Sequence, residues 1–588
     1  MSDYLRQAEH FLTHETQFHL GILPTEQPHP RTRGLAETLQ ADCSAGVRLL
    51  QAVDQDVAAL ARRIFGSAEM ARLVAVLGEA LAGGRRVCFS GCGATGRLSI
   101  MLEAMWRHYW LVVARQQSSL APLAATRGDQ VLSLMTGGDY ALIRSVEGFE
   151  DYLSFGRRQV QEAGLEEGDV LVAISEGGET SSVIGTLQEA RARGVTCFFV
   201  FNNPAEILAA HVERSREVIT DPAITVLDLT TGPMAVTGST RMQATTAELL
   251  VVGTALEQAL APLLPPECPL AGVAPVDAAA RLADLLDDLG QPEAVAALVE
   301  WITCEQAHYA AGGRVTYLAG ECLLDIFTDT TERAPTFMLP PFRKADDPVS
   351  PPSWAFVKDP LRPTPEAWRQ VLGREPRCLN WNAADYATLG AAERIVNQPP
   401  DLSETQLLKF LIGCEPDPSR TEVQPNTALA VLLGPELQAA MGPAWQAALT
   451  TATAPFAQRL AVVIGEPGGP LPGVAQTLLV PCRLPTTPLG LWHRLAAKLV
   501  LNTVSTATMG RLGRLVSNWM ANVECTNKKL IDRGTRLVAE LAGLDYATAC
   551  RELHHTLAEQ QSAEVVPGQP RVSPVAATVQ RLRQQKGC

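Results

Sequence analysis

The chain has 588 residues and a mass of 63.1 kDa, too long for one hydrophobic core, so roughly two to four domains are expected. Hydrophobic residues make up 46% and charged residues 19%, the balance of a folded globular protein and not of a disordered one. The formal net charge of −14 argues against a broad nucleic-acid footprint, which demands clustered Lys and Arg, but it leaves room for a small anion held by a local loop.

No run of about 18 apolar residues free of charge occurs, so no membrane span is expected. Met1 opens a polar segment without the apolar core of a secretory signal. The 13 cysteines are scattered, odd in number and without a C-x-x-C pair, a pattern of reduced thiols in a cytoplasm. No cluster of His, Cys and carboxylates has metal-ligand spacing, so no metal and no other cofactor is expected.

Residues 1–80 read as helical, broken at "LPTEQPHPRTRG" by three prolines between Leu23 and Arg31, and residues 1–60 are taken as an N-terminal helical arm. "RRVCFS" (85–90) is a short buried-strand pattern that leads into a glycine loop and an amphipathic run from Leu98 to about Tyr109. "DVLVAIS" (169–175) repeats the arrangement, with the loop "EGGETSS" and a helix from about Val183 to Arg193; "TCFFVFNNP" (196–204) is a further strand. Strands alternating with helices imply a doubly wound parallel sheet over residues 61–275, with ligands at the carboxyl ends of its strands.

A second α/β unit is expected over residues 276–491. "GRVTYLAG" (313–320) resembles "RRVCFSG", and strand-like stretches recur at "ALAVLLG" and "RLAVVIG". Its glycine loop is eroded to "AGECLLD", so this unit reads as a diverged duplicate. The Pro-rich stretches 339–364 and 465–488 read as surface excursions, and residues 492–588 as a C-terminal helical cap with a looser tail near "VVPGQPRVSP".

Three loops carry the chemistry. Gly91, Gly93 and Gly96 stand in a G-x-G-x-x-G frame that enters a helix, where unpaired N–H groups and the positive end of the dipole favour an anion; Thr95 adds a hydroxyl. A dinucleotide site needs an acid about 20 positions later, and "WLVVARQQSSLAP" has none, so NAD is disfavoured. "ISEGGETSSVIG" brings Ser175, Gly177 and Thr180 to a second strand-to-helix junction, and "TGSTRM" adds Ser239, Thr240 and Arg241. Each stretch alone is also ordinary turn or capping chemistry. Three such loops in one unit suit a sugar monophosphate, which takes several neutral donors and few charges.

Several stretches together carry a family resemblance: "LPTEQPHPRT", "GCGATGRL", "TGGDYALIRSVEGFED", "ISEGGETSSVIG", "TGPMAVTGSTRMQATTAE", "TERAPTF", "KLVLNTVSTATMGRLGRLVSNWM" and "TNKKL", spanning roughly residues 22 to 531. The first half resembles the SIS (sugar isomerase) domain of N-acetylmuramic acid 6-phosphate etherases. The whole chain resembles the two-SIS-domain glucokinase regulatory protein branch of that family. The resemblance implies a sugar 6-phosphate ligand and, for the etherase activity, two carboxyl groups of different protonation state. Glu147 in "SVEGFED" falls on the family's base position; the alternative for this acidic run is a solvated helix start. Where etherases carry their acid, the first half has Met105, which transfers no proton. Glu103 lies two residues earlier, about 200° away around a helix.

"DTTERAPTF" in the second half matches the missing stretch and puts Glu332 in the acid position; the alternative is a surface acid before a proline turn. In a fused duplicate the second unit stands in for the partner copy, so one composite site is expected, an internal pseudo-dimer. Lys498 matches a lysine with which the regulatory branch contacts the ligand phosphate; the alternative is a helix lysine with its amine turned to solvent. Gln243 replaces the family's usual Lys, and "SEGGET" stands where etherases have Ala-Ser-Gly-Arg-Thr. The resemblance leaves two functions open: a cytoplasmic etherase of cell-wall sugar recycling, and a sensor without turnover that binds a sugar kinase.

Overall fold

In the computed structural model, residues 2–146, 148–467, 471–562 and 572–585 are described. Five parallel strands form the first sheet: β1 (Val87–Gly91), β2 (Val131–Met135), β3 (Val170–Ile174), β4 (Thr196–Phe201) and β5 (Ile224–Asp228), in the order β2-β1-β3-β4-β5. The second sheet contains β6 (Arg314–Leu318), β7 (Ala355–Lys358), β8 (Asn426–Leu433), β9 (Gln458–Gly465) and β10 (Gln476–Pro481), all parallel. Its order, β7-β6-β8-β9-β10, repeats that of the first, so the duplication expected from "GRVTYLAG" extends to the whole strand topology.

Every residue of β1, β3 and β8 is buried, as a sheet covered by helices on both faces requires. Truncating the buried Leu171 of β3 to Ala costs about 2–5 kcal/mol through lost burial and the cavity left behind. Two expectations change. The stretches 339–364 and 465–488 are not purely surface excursions: each contains a strand, β7 and β10. These are edge strands, where a proline costs little because one side of the backbone forms no ladder.

The first glycine loop opens the helix Gly93–Gln116, and the second opens Ser181–Ala192. In the strand order of the first sheet the chain reverses direction at β1 and β3, so both loops lie at the crevice where such sheets hold ligands. The helix Cys43–Ile64 runs through residue 60 and packs on helices of both units, Gln243–Leu260, Pro292–Ala310 and Leu491–Arg511 among them. After Leu491–Arg511 the described residues of the C-terminal region form the helices Lys528–Ala542, Tyr546–Ser562 and Pro574–Gln585, together with a short antiparallel pair at residues 515–516 and 519–520. Of the looser tail expected near residue 565, the part up to residue 571 lies outside the described residues.

Candidate functional site

The glycines of the first loop divide their work. A Cβ on Gly91 would stand 2.4 Å from the backbone of Thr95, and one on Gly96 would meet Met135 Cγ at 2.7 Å and Gly91 O at 3.0 Å. These two let strand and helix close on each other. Gly93 has φ +56° and faces outward: a Cβ there would lie 4.0 Å from Glu332 Oε1. The hydroxyl of Thr95 is used within the loop, accepting from Cys92 N (3.1 Å) and donating to Cys92 O (2.8 Å). It shapes the helix start.

Glu332 thus reaches the first loop from the helix Leu323–Phe337 of the second unit. Its Oε1 accepts from Arg97, whose side chain is fully buried. Arg97 also donates to Leu142 O (3.1 Å), Ala141 O (2.9 Å) and Ser145 Oγ (3.2 Å). One guanidinium therefore ties Glu332 to the segment that leads into "SVEGFED". Glu147 itself lies outside the described residues.

The second loop is tethered by Ser175 Oγ and Thr180 Oγ1, 3.0 Å apart, and by Asn203 Nδ2, which donates to Gly177 O (3.0 Å). It also carries two acids that loop chemistry does not need. Burial works to raise Glu179, but Lys529 and Arg214 hold it below the usual carboxylate range; Lys529 Nζ donates to it at 2.6 Å. Glu176 is the reverse case. Burial pushes it up to about 7, and the neighbouring charges of Glu332 and Glu179 add to the rise against Lys529. Sequence reasoning did not single out Glu176; its signal was the departure "SEGGET", which puts two carboxyls into the second strand-to-helix loop. Arg97 was missed in the same way, inside a motif read for its glycines.

The third stretch works between units. Arg241 donates to Asp329 Oδ1 (2.9 Å) on the Glu332 helix, to Asn502 Oδ1 (3.3 Å) and Ser505 Oγ (3.2 Å), and to Thr506 Oγ1 (2.8 Å), while its buried Nε has no partner. Ser239 is buried and Thr240 half-buried in the turn before the helix Gln243–Leu260, where the Thr240 carbonyl accepts from Thr245 Oγ1 (2.8 Å). Lys498 Nζ donates to the carbonyls of Arg241 (2.7 Å) and Met242 (3.4 Å). It is turned inward, and burial together with Arg241 brings it down to about 7. Gln243 accepts from Ala235 N (2.8 Å) and donates to Asp54 Oδ1 (3.2 Å).

Two residues near the expected acid position have other work. Met105 is buried. Glu103 accepts from Arg107, Arg374 and Arg377 and from Ser133; burial would raise it, but the three arginines hold it down to about 2. It is a structural anion between the units.

The eroded loop of the second unit is filled from within. Glu436, at the junction after β8, accepts from Gly320 N with Oε1, at the place where an anion would meet the helix start. Burial pushes this carboxyl up to about 8. Among the described residues no group of three or more His, Cys, Asp or Glu side chains could hold a metal ion, and no helix is long and apolar enough to cross a membrane.

Residues 69–191 match the glucokinase regulatory protein N-terminal SIS domain. N-acetylmuramic acid 6-phosphate etherase from Mesorhizobium japonicum is 31% identical over 245 residues, 42% of this chain and 69% of that protein. The etherase of Deinococcus radiodurans is 32% identical over 233 residues, 39% of this chain and 66% of that protein, and etherase 1 of Bacillus licheniformis 27% identical over 234 residues, 40% and 67%. Among solved structures, a phosphosugar isomerase from Silicibacter pomeroyi aligns with 80% of this chain and 99% of its own at 12% identity and a TM-score of 0.39. By these sequence matches the chain belongs to the family of the N-acetylmuramic acid 6-phosphate etherases.

Proposed function

We propose that the chain binds a sugar 6-phosphate at the loops of the first unit and cleaves the D-lactyl ether of N-acetylmuramic acid 6-phosphate. The observation that carries this reading is the reach of Glu332 from the second unit to Gly93, held by Arg97. The phosphate rests on the N-terminus of the helix Gly93–Gln116 and on the Ser175–Thr180 loop. In the open-chain aldehyde form of the sugar, Glu147 removes the C2 proton. The electron pair left at C2 forms the C2–C3 double bond as the C3–O bond breaks, and the departing lactate oxygen takes a proton from Glu332. Water then adds its oxygen to C3 and a proton returns to C2, giving N-acetylglucosamine 6-phosphate and D-lactate. Glu176, whose carboxyl still holds its proton near neutral pH, supplies the proton that Glu332, paired with Arg97, passes to the lactate oxygen.

The test is direct: purified protein is mixed with N-acetylmuramic acid 6-phosphate and D-lactate is assayed, with an active etherase run in parallel. No lactate beside a working control rejects the etherase. One observation favours a second reading, a sugar-phosphate sensor that restrains a sugar kinase: Glu332 is already engaged by a buried arginine, an arrangement that also serves to hold two units around a ligand without turnover. Sugar-phosphate binding without retention or inhibition of any sugar kinase rejects that reading.

A further inference from the structure

The helix Gln243–Leu260 is buried over nearly its whole circumference. Thr254, Glu257 and Gln258, with Ala261 just past its end, nevertheless repeat at the i, i+3, i+4, i+7 spacing of a single face. That face looks into a partly open cavity of about 240 Å³, none of whose lining residues belongs to the glycine loops. Its other walls come from the linker between the units, with Leu270 and Val276, and from Trp492 in the first turn of the helix Leu491–Arg511. The linker turns through left-handed backbone at Leu270 (φ +62°) and Gly272 (φ +74°). Tyr109 Oη of the first glycine helix donates to Pro269 O (2.9 Å) and fixes that turn.

The cavity combines apolar walls with one acid. Glu257 Oε1 accepts from Leu489 N (3.2 Å), and no cationic side chain lines the cavity. Burial raises the Glu257 carboxyl; only hydrogen bonds from Thr487 and from the backbone of Leu489 and Leu491 oppose the rise, and none of them brings a positive charge. One turn earlier on the same face, the Thr254 hydroxyl is buried without a hydrogen-bond partner. A carboxyl kept from water without a counter-charge and a hydroxyl without a partner are both costly, so each favours a ligand that brings N–H donors and positive charge. An ammonium group offers three donors to share between them, and the Trp492 ring offers a face that attracts a cation or packs on an apolar body. A dry cavity of about 150 Å³ takes a benzene ring, so about 240 Å³ takes a ring with a short chain.

We propose that this cavity is a binding site for organic ammonium compounds whose apolar body is the size of a phenyl ring, the ammonium donating to Glu257 and Thr254 and the body lying against Leu270, Val276 and Trp492. The site is separate from the sugar-phosphate loops, and the inference does not rest on the etherase reading. A charge-assisted hydrogen bond to a carboxylate is about twice as strong as a neutral one, which is what makes the site prefer an amine to a neutral molecule of the same shape. Its walls belong to the last helix of the first unit, to the linker and to the helix that carries Lys498 and Asn502, so a bound amine spans the boundary between the units.

The experiment titrates the full chain with 2-phenylethylamine and, as a neutral probe of the same shape, with 2-phenylethanol, followed by ligand-detected NMR near neutral pH. The amine is expected to bind with a dissociation constant on the order of 0.1–1 mM, about tenfold more tightly than the alcohol. Glu257→Gln keeps the shape of the side chain and removes its charge. It should erase the preference for the amine and leave the affinity for the alcohol unchanged, which also shows that the variant is folded. Equal affinities for the two probes in the unmodified chain overturn the proposal, as do a preference that survives Glu257→Gln and a failure of both probes to bind. Should Glu257→Gln not fold, Ala261→Phe decides. It fills the cavity from the same helix face without touching the acid, and with its fold checked by circular dichroism it must abolish amine binding; unchanged binding overturns the proposal.

Discussion

The guanidinium of Arg97, in the first glycine helix, donates to Glu332, which belongs to the helix of the other sheet. Both side chains lie in the boundary between the units, and the same guanidinium holds the carbonyls of Ala141 and Leu142. This link ties the first glycine helix to the second unit.

Arg97→Met should break both ties at once. Removing one partner of a buried ion pair costs about 3–5 kcal/mol, because the remaining charge is left without compensation. Thermal unfolding should show a matching fall in midpoint, and lactate release should be lost. A variant with unchanged stability and unchanged turnover would contradict the link.

Glu147→Gln should abolish exchange of the C2 proton with solvent, whereas Glu332→Gln should block lactate loss and still allow exchange. Proton NMR of substrate incubated in deuterated water reads both steps. Full activity in both variants rules out a site shared by the two units.

Glu176 sets a pH dependence. Its folded pKa of about 7 lies above its ordinary 4.5, so the unfolded chain releases this proton first and the folded state loses stability as pH rises from about 4.5 to about 7. Glu176→Gln should remove that slope, and its unfolding midpoint should gain on the unmodified chain as pH rises through this window. Ionisation of Glu176 also sets a negative charge beside the phosphate, so sugar-phosphate affinity should weaken above about pH 7 in the unmodified chain more than in the variant. Parallel pH profiles of the two proteins would remove Glu176 from the site.

Glu436 predicts stoichiometry. With its carboxyl on Gly320 N, the second unit offers no open cradle, and calorimetry should find one sugar phosphate bound per chain. Two equivalent sites would show that the carboxyl is displaced by ligand.

The N-terminal arm is latched by Glu26, which accepts from Arg533 and Arg536 of the C-terminal helix Lys528–Ala542. Burial alone would raise this carboxyl, but the two arginines hold it down to about 2. Its contribution is present above about pH 4.5 and is lost as pH falls toward 2. Glu26→Gln should cost about 3–5 kcal/mol at neutral pH and reduce the acid sensitivity of unfolding. An acid profile identical to that of the unmodified chain would exclude the latch.

The strands legible in the sequence were β1, β3, β4, β6, β8 and β9, which are the interior strands of the two sheets. The four not read, β2, β5, β7 and β10, are the four edges. Interior parallel strands are covered on both faces and have neighbours on both sides, so they must be continuous apolar runs such as "DVLVAIS". Edge strands tolerate polar residues and nearby prolines: Ser133 stands within β2, and β10 ends at Pro481.

By itself the sequence determined the duplicated α/β architecture and the two glycine loops at strand-to-helix junctions, because periodicity and glycine spacing are local properties. Only the tertiary structure decided that Glu332 faces Gly93 across the unit boundary, that Thr95 spends its hydroxyl on its own loop, and that Lys498 turns inward to the carbonyls of Arg241 and Met242. Those relationships join residues far apart in the chain. Burial and opposing charge, which act only once the two units are packed together, then set which of these groups carry a proton.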